Sequence, residues 1–239
     1  MRKGPISAKK IKKFINRCTD EQLVDVEFLA EFVRKRIGWK IKKQDAHNFT
    51  PDDYITKREG GITCSQWPTE LAQLLLFIYN YRSVIKSYLE FGVGSGATFC
   101  ILDSYMRRVC PEFGRSVAVD IHHEVPKAFA EYQSITPEVE YLGMNTKFFV
   151  PDGFYDLCFI DANHGYASVS RDYALVKPHT KFIAFHDIHY PLKYHPDGTR
   201  VKGKWVKHFW PEVEANNKIE IKSIDPRISF ETGIGIVWD

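Results

Sequence analysis

The chain has 239 residues, of which 44% are hydrophobic and 26% are charged, and its formal net charge is +3. The longest apolar run, around residues 74–79, is far too short to span a bilayer, so we expect no transmembrane segment and no membrane partner. The five cysteines are scattered without a Cys-x-x-Cys pair, and the N-terminus lacks the apolar core of a signal peptide. We therefore expect a soluble, cytoplasmic protein with neither a disulfide framework nor a zinc cluster.

The charge is distributed unevenly along the chain. Residues 1–43 contain 13 Lys or Arg and 5 Asp or Glu, which gives a local charge of +8, so the remainder is acidic. Such a basic arm can contact nucleic acid, anionic lipid or an acidic partner, although a solvated helix face or a tail is the simpler interpretation. No aromatic residue interleaves with the run Lys9–Lys13, which disfavours nucleic acid as a partner.

The N-terminal segment is predicted to be partly helical. Residues 1–18 have the composition of a basic tail. Thr19 and Gln22 have the spacing of a capping box, and apolar residues then recur at helical spacing as far as Ile37, which Gly38 follows. We expect one helix here, whose apolar face packs on the core domain or on a second subunit. A homo-oligomer therefore remains open.

From residue 69 onwards the chain alternates helices and strands. A helix is predicted from Thr69 to about Tyr81, and the pattern after Lys86 is that of a parallel sheet with crossover helices. Strands are expected near 87–91, 116–120, 138–142, 155–160 and 180–186, and helices near 97–109, 124–133, 166–176 and 205–216. A final pair, 218–224 and 233–238, can form an antiparallel hairpin at the sheet edge. We therefore expect an extension over residues 1–68 and an α/β domain over residues 69–239.

A glycine-rich stretch, Tyr88–Thr98, joins the first of these strands to a helix. Gly92, Gly94 and Gly96 allow positive φ and close backbone approach, and the N–H groups that open the helix suit an anionic or polar ligand. The spacing also satisfies the loose dinucleotide fingerprint. Glu90, however, would repel a pyrophosphate, and it favours a cationic ligand such as S-adenosylmethionine.

Ligands of open α/β sheets bind at the carboxyl ends of the strands. The second strand ends in Asp120, whose carboxylate can accept hydrogen bonds from both ribose hydroxyls of a nucleotide or of S-adenosylmethionine. Asn145, after the third strand, is a weaker candidate for contact with the adenine edge.

The fourth and fifth strands end in a denser group of polar residues. The fourth strand runs into Asp161 and then His164, and the fifth ends in His186 and Asp187. Carboxylates and imidazoles at this density suit a hard or borderline divalent cation. Asp161 alone is explained by a helix cap and His186 alone by core packing, but the four residues together favour a functional site.

These stretches resemble a known family. The Glu-x-Gly-x-Gly-x-Gly pattern, the sequence from Phe159 to Tyr166, Asp172 and the sequence from Ala184 to Ile188 are similar to class I S-adenosylmethionine-dependent methyltransferases of the methyltransferase-24 type. They are also similar to catechol, caffeoyl-CoA and macrocin-type O-methyltransferases. The resemblance covers roughly residues 60–239. It implies a Rossmann-like fold with a mostly parallel seven-stranded sheet, a C-terminal antiparallel hairpin and helices on both faces.

The resemblance also implies roles for individual residues. It assigns S-adenosylmethionine to Glu90, Gly92, Gly94, Gly96, Asp120 and Asp161, and a divalent cation, Mg²⁺ or Mn²⁺, to Asp161, His186 and Asp187. His164 falls where the catechol enzymes place a catalytic lysine, so it is the expected general base. The segment before the core is expected to cover the cofactor, with Gln66 and Trp67 as candidates.

Two positions depart from the pattern of the catechol enzymes. His186-Asp187 replaces Asp-Asn at the second metal position, which can weaken Mg²⁺ binding or favour Mn²⁺ or Fe²⁺. His164 replaces the lysine, and histidine is the side chain that ordinarily changes charge near neutral pH.

The sequence thus predicts metal-assisted O-methylation of a small-molecule hydroxyl. The long loop at residues 189–204, with Tyr190, His195 and Arg200, is expected to shape the acceptor pocket. Two alternatives stay open. One is an NAD(P)-linked oxidoreductase, which Glu90 and the terminal hairpin disfavour. The other is a non-catalytic binding module with the same fold, in which the basic arm serves for docking.

Overall fold

The computed structural model describes residues 7–38, 64–190, 203–225 and 232–239. Its helices are α1 Ala8–Ile15, α2 Asp20–Leu23, α3 Val26–Glu31, α4 Pro68–Asn80, α5 Ala97–Val109, α6 Lys127–Ser134, α7 Tyr166–Val176 and α8 Val206–Phe209. Its strands are β1 Ser87–Phe91, β2 Arg115–Asp120, β3 Val139–Gly143, β4 Tyr155–Ile160, β5 Thr180–His186, β6 Asn217–Ile221 and β7 Ile234–Trp238. No helix within these ranges is both long enough and apolar enough to cross a membrane.

The seven strands form one sheet in the order β3-β2-β1-β4-β5-β7-β6. Strands β1 to β5 are parallel, whereas β7 runs antiparallel to both β5 and β6. The predicted α/β fold with a C-terminal antiparallel hairpin is therefore confirmed. The strand order reverses between β1 and β4, and open α/β sheets bind their ligands in a crevice at the carboxyl ends of the strands at such a reversal.

Two apolar clusters cover the two faces of the sheet. Helices α1, α3, α4, α5 and α6 contribute to the first cluster, and α7 and α8 to the second. Successive residues of a strand enter opposite clusters, as Tyr88 and Leu89 of β1 do, because side chains alternate across a strand. The burial of both faces holds the strand ends rigidly, and the site is built on them.

Helix α1 agrees with the partly helical segment that the sequence predicts, but it packs on the core and is not a tail in solvent. It buries Ile11 and Ile15 in the first cluster, and Nζ of Lys12 donates hydrogen bonds to the carbonyl of Ile135 at 2.9 Å and to Oγ1 of Thr136 at 2.8 Å. The apolar residues at helical spacing were the signal in the sequence, but the surrounding lysines obscured it.

The predicted long helix after Thr19 is interrupted. The capping box between Thr19 and Gln22 is confirmed, with both reciprocal hydrogen bonds formed. The helix nevertheless ends at Leu23, because the carboxylate of Asp25 accepts the N–H of Phe28 at 3.0 Å and caps a new helix, α3. A π-helical stretch, Phe32–Gly38, follows α3.

Prolines shift two further boundaries. Helix α6 begins only after Pro126, because the residue before a proline is biased away from helical backbone. Helix α8 ends at Phe209 rather than near residue 216, because Pro211 has no N–H to donate and the chain continues as a 3₁₀ turn.

Candidate functional site

The turn after β1 requires glycine. Gly92 has φ +89°, and a Cβ atom there would lie 2.3 Å from the carbonyl oxygen of Asp161. The N–H of Asp161 in turn donates to the carbonyl of Phe91 at 2.8 Å, so this turn and the end of β4 are held together. Gly94 and Gly96 also have positive φ, as expected, and Gly96 is the N-cap of α5. We call residues 92–96 the glycine turn.

Asp120 fixes the other side of the glycine turn. Its Oδ2 accepts the N–H of Gly94 at 2.8 Å and its Oδ1 accepts the N–H of His122 at 3.0 Å. Each carboxylate oxygen retains capacity for a second donor, so the group suits a pair of hydroxyls. The side-chain oxygen of Asn145 caps a 3₁₀ turn by accepting the N–H of Lys147 at 3.0 Å, and the contact of Asn145 with the adenine edge stays a prediction.

Glu90 is fully buried at the end of β1. The hydroxyl of Tyr88 donates to its Oε2, whereas Oε1 has no hydrogen-bond partner among the described residues. Burial raises the pKa of this carboxyl well above its usual range, and the charges of Asp161 and Asp120 raise it further. An acceptor oxygen without a partner beside the glycine turn suits a cationic ligand, whose charge would favour the ionised carboxylate.

Four side chains from the ends of β4 and β5 converge beside this turn, and we call Asp161, His164, His186 and Asp187 the acid–imidazole cluster. Nδ1 of His186 lies 2.9 Å from Oδ1 of Asp161 and 3.4 Å from Oδ1 of Asp187. Nε2 of His164 lies 3.8 Å from Oδ1 of Asp161 and 3.6 Å from Oδ2 of Asp187. The two imidazoles therefore flank the same pair of carboxylates.

His186 is the buried centre of the cluster. Burial lowers the pKa of its imidazole, but the carboxylates of Asp161, Asp187 and Glu70 outweigh that effect and raise the pKa to about 10. At neutral pH the ring is therefore protonated, and its charge offsets the neighbouring carboxylates. Its Nε2 has no hydrogen-bond partner in the part of the chain that the structure describes.

Asp187 has an unusual backbone. Its φ is 61°, and it is the one non-glycine residue with positive φ within the described ranges. Aspartate tolerates this left-handed conformation better than most residues, and such strain clusters at functional sites. The conformation places the carboxylate of Asp187 against both histidines. The sequence contains no signal for it, because aspartate is common in every kind of turn.

The donor types of the acid–imidazole cluster suit a divalent cation, since two partly buried carboxylates call for positive charge. Within the described ranges, however, no group of three or more His, Cys, Asp or Glu side chains is already arranged as a metal site. The donors are paired with one another instead, and the proton on His186 supplies the positive charge. The donor atom types therefore suit a divalent cation, which would take the place of the proton on His186.

His164 is held by the segment that leads into α8. The rings of His164 and Trp205 are nearly parallel, with 15° between their planes and 6.5 Å between their centroids. The N–H of Val206 also donates to the carbonyl of His164 at 3.0 Å. No pattern in the sequence indicates this contact. Most of the predicted acceptor loop, including His195 and Arg200, lies outside the described residues.

Gln66, a candidate for covering the cofactor, lies directly against the cluster. Its Nε2 donates to Oδ2 of Asp161 at 2.6 Å, and its Oε1 accepts the hydroxyl of Thr98 and the thiol of Cys64. Trp67, the other candidate, is buried at the N-cap of α4. Thr98 and Cys64 were not identified from the sequence, because their contact with Gln66 joins distant parts of the chain.

Comparison with known proteins finds a family that matches part of the chain. The methyltransferase-24 family model, described as a methyltransferase domain, matches residues 89–188. A solved structure of a Pyrococcus horikoshii protein, provisionally assigned as an RNA methyltransferase, is similar with 12% identity and a TM-score of 0.52, over 88% of this chain and 93% of that chain. No curated relative matched the sequence.

Two further structures are similar at lower scores. The N-methyltransferase NodS from Bradyrhizobium japonicum WM9 has 10% identity and a TM-score of 0.47, over 70% of this chain and 93% of its own. MycE from the mycinamycin biosynthetic pathway, solved with Mg and S-adenosylhomocysteine, has 14% identity and a TM-score of 0.44, over 68% of this chain and 46% of its own. Similarity at these TM-scores does not indicate the substrate of this chain.

The matched segment contains the glycine turn, Asp120 and the ends of β4 and β5. The sheet order and the Pyrococcus structure agree with that match at the level of the fold. Residues 89–188 therefore match a methyltransferase domain of the methyltransferase-24 family, and the fold around them is that of the class I S-adenosylmethionine-dependent methyltransferases.

Proposed function

We propose that this methyltransferase methylates a hydroxyl group of a small molecule and that a divalent cation, Mg²⁺ or Mn²⁺, assists it. The proposal rests on one observation, the convergence of the acid–imidazole cluster beside the glycine turn. Methyl transfer to a hydroxyl requires a bound donor, an aligned acceptor and a group that takes the proton of the acceptor. The crevice offers residues for each requirement.

In this proposal Glu90, the glycine turn, Asp120 and Asp161 bind S-adenosylmethionine, which supplies the methyl group. The unpartnered Oε1 of Glu90 receives the cationic end of the ligand, and the carboxylate of Asp120 accepts the ribose hydroxyls. Ile121, which directly follows Asp120, is 61% exposed and offers an apolar surface for the base.

His164 is the proposed general base. Its Nε2 lies more than 3.5 Å from both carboxylates of the cluster, so neither of them holds it in a hydrogen bond. The ring of Trp205 lies beside that of His164 and nearly parallel to it. A cation held by Asp161, His186 and Asp187 would lower the pKa of a hydroxyl bound to it.

The alternative functions require different features of the site. A dinucleotide-linked oxidoreductase is disfavoured by the buried Glu90 and by the antiparallel hairpin of β6 and β7. A non-catalytic binding module would bind the cofactor without turnover. An RNA hydroxyl remains a second acceptor class, because the Pyrococcus neighbour is assigned to RNA, although no described contact favours it.

The test is methyl transfer from radiolabelled S-adenosylmethionine to a panel of phenols, sugars, nucleosides and RNA, with Mn²⁺ and with EDTA. We expect transfer to a small-molecule hydroxyl that EDTA abolishes. Transfer to RNA alone would contradict the acceptor class, and full activity in EDTA would contradict the role of the cation. Tight cofactor binding without transfer to any member of the panel would favour the binding module.

A further inference from the structure

The side chain of Gln66 connects the start of α5 with the acid–imidazole cluster. Gln66 is 3% exposed, and its amide uses both of its ends. Nε2 donates to Oδ2 of Asp161 at 2.6 Å, and Oε1 accepts the hydroxyl of Thr98 and, at 3.2 Å, the thiol of Cys64. Thr98 lies in the first turn of α5, directly after the glycine turn.

The chemistry of these partners fixes the orientation of the amide. A carboxylate only accepts hydrogen bonds, so the NH₂ group must face Asp161. The reversed amide would place its oxygen against the carboxylate of Asp161 and lose the bonds from Thr98 and Cys64. Gln66 therefore has one favourable orientation, which neighbours on two sides impose.

This orientation constrains Asp161 in turn. The N–H of Asp161 is bound to the carbonyl of Phe91, and its Oδ2 is bound to Gln66. Oδ1 is the oxygen that faces Nδ1 of His186. The contact with β1 thus fixes the backbone of Asp161, and the contact with Gln66, which Thr98 of α5 holds, fixes its carboxylate.

We propose that Gln66 is a positioning residue for Asp161, and that Thr98 positions Gln66. This inference rests on the proposed function, because Asp161 is the residue assigned to the cation. Groups that hydrogen-bond the ligands of a metal typically change its affinity by about 10–100-fold when they are removed. The hydrogen bonds from Thr98 and Gln66 also join the glycine turn to the cluster, so a change at one affects the geometry of the other.

The test measures Mn²⁺ binding to the full chain by calorimetry. Gln66→Met keeps the length of the side chain without its amide, and we expect it to weaken Mn²⁺ binding by about 10–100-fold. Thr98→Val should weaken binding in the same direction, whereas Thr98→Ser, which keeps the hydroxyl, should match the wild type. Gln73→Met is the matched control, because Gln73 donates to the carbonyls of Thr69 and Lys222, away from the cluster.

A second measurement separates this inference from the role of the cation. The measurement is the NMR signal of the side-chain NH₂ protons of Gln66 in metal-free protein, which is identified by its loss in Gln66→Met. We expect the hydrogen bond to the charged carboxylate of Asp161 to move this signal downfield. Asp161→Asn and Thr98→Val should shift it, and Thr98→Ser should not. Wild-type protein that binds no Mn²⁺ would overturn the proposed cation, and the amide signal would then decide the role of Gln66. Wild-type Mn²⁺ affinity in Gln66→Met, or an amide signal insensitive to Asp161→Asn, would overturn the inference.

Discussion

Nδ1 of His186 and Oδ1 of Asp161 lie 2.9 Å apart at the ends of two neighbouring parallel strands. This contact places a buried positive charge where the proposed function requires a cation. The proton on His186 and a divalent ion are therefore alternative ways to offset the same carboxylates.

The proton on His186 should make stability depend on pH. Its pKa is raised from 6.5 to about 10 in the folded chain by Asp161, Asp187 and Glu70, against the effect of burial. The stabilisation is then fully present below pH 6.5 and is lost as the pH rises through about 10. In EDTA we expect wild-type protein to lose on the order of 5 kcal/mol across this window, at about 1.4 kcal/mol per pKa unit, or about 10–20 °C in Tm.

The control for this prediction is His186→Gln, which has no imidazole to titrate. Its Tm, measured by calorimetry at the same pH values, should fall less steeply than that of the wild type. Parallel curves for the two proteins would show that His186 is not protonated in the folded state.

Asp120→Ala should weaken S-adenosylhomocysteine binding by about 1–3 kcal/mol, because hydrogen bonds to a charged acceptor are lost. Part of this loss arises from the glycine turn, since Asp120 also accepts the N–H of Gly94. Glu124→Ala, an exposed acidic residue of the same loop, is the matched control and should bind normally. Equal affinities of the two variants by calorimetry would rule out the ribose assignment.

His164→Ala should slow methyl transfer by about 10²–10⁴-fold if His164 is the general base. Cofactor affinity should be retained, because Glu90, Asp120 and the glycine turn are unchanged. His179→Ala, at the opposite end of β5, should transfer at the wild-type rate. A wild-type rate in His164→Ala would show that another group takes the proton of the acceptor hydroxyl.

Ile11→Ala should destabilise the chain by about 2–5 kcal/mol, because Ile11 is fully buried in the first apolar cluster. Lys10→Ala, on the exposed side of α1, should have little effect on unfolding in denaturant. The folded Ile11→Ala protein should still bind S-adenosylhomocysteine normally. A large loss of affinity would show that α1 supports the cofactor site as well as the core.

The fold could be predicted from the sequence because its signals are local. Buried strands such as Tyr155–Ile160 alternate with amphipathic helices such as Tyr166–Val176, and both observed ranges agree with the predicted ones. The predictions were wrong where a single side chain competes with the periodic pattern. Asp25 caps a new helix inside an apolar repeat, and Pro211 interrupts the last helix.

The candidate site could be predicted only in part. The topology brings Asp161 and His186 to the same edge because they end adjacent parallel strands. The contacts of Gln66 with Thr98 and of His164 with Trp205 depend on side chains more than 30 residues apart, and no periodicity encodes them. The left-handed backbone of Asp187 is likewise a property of the folded chain.

The proposed cation site is tested most directly by an anomalous difference map from crystals grown with S-adenosylhomocysteine and Mn²⁺. We expect one Mn²⁺ peak among the carboxylates of Asp161 and Asp187 and the imidazole of His186, with the ligand seated on the glycine turn. A ligand on the glycine turn and no Mn²⁺ peak at the acid–imidazole cluster would contradict the proposed cation site.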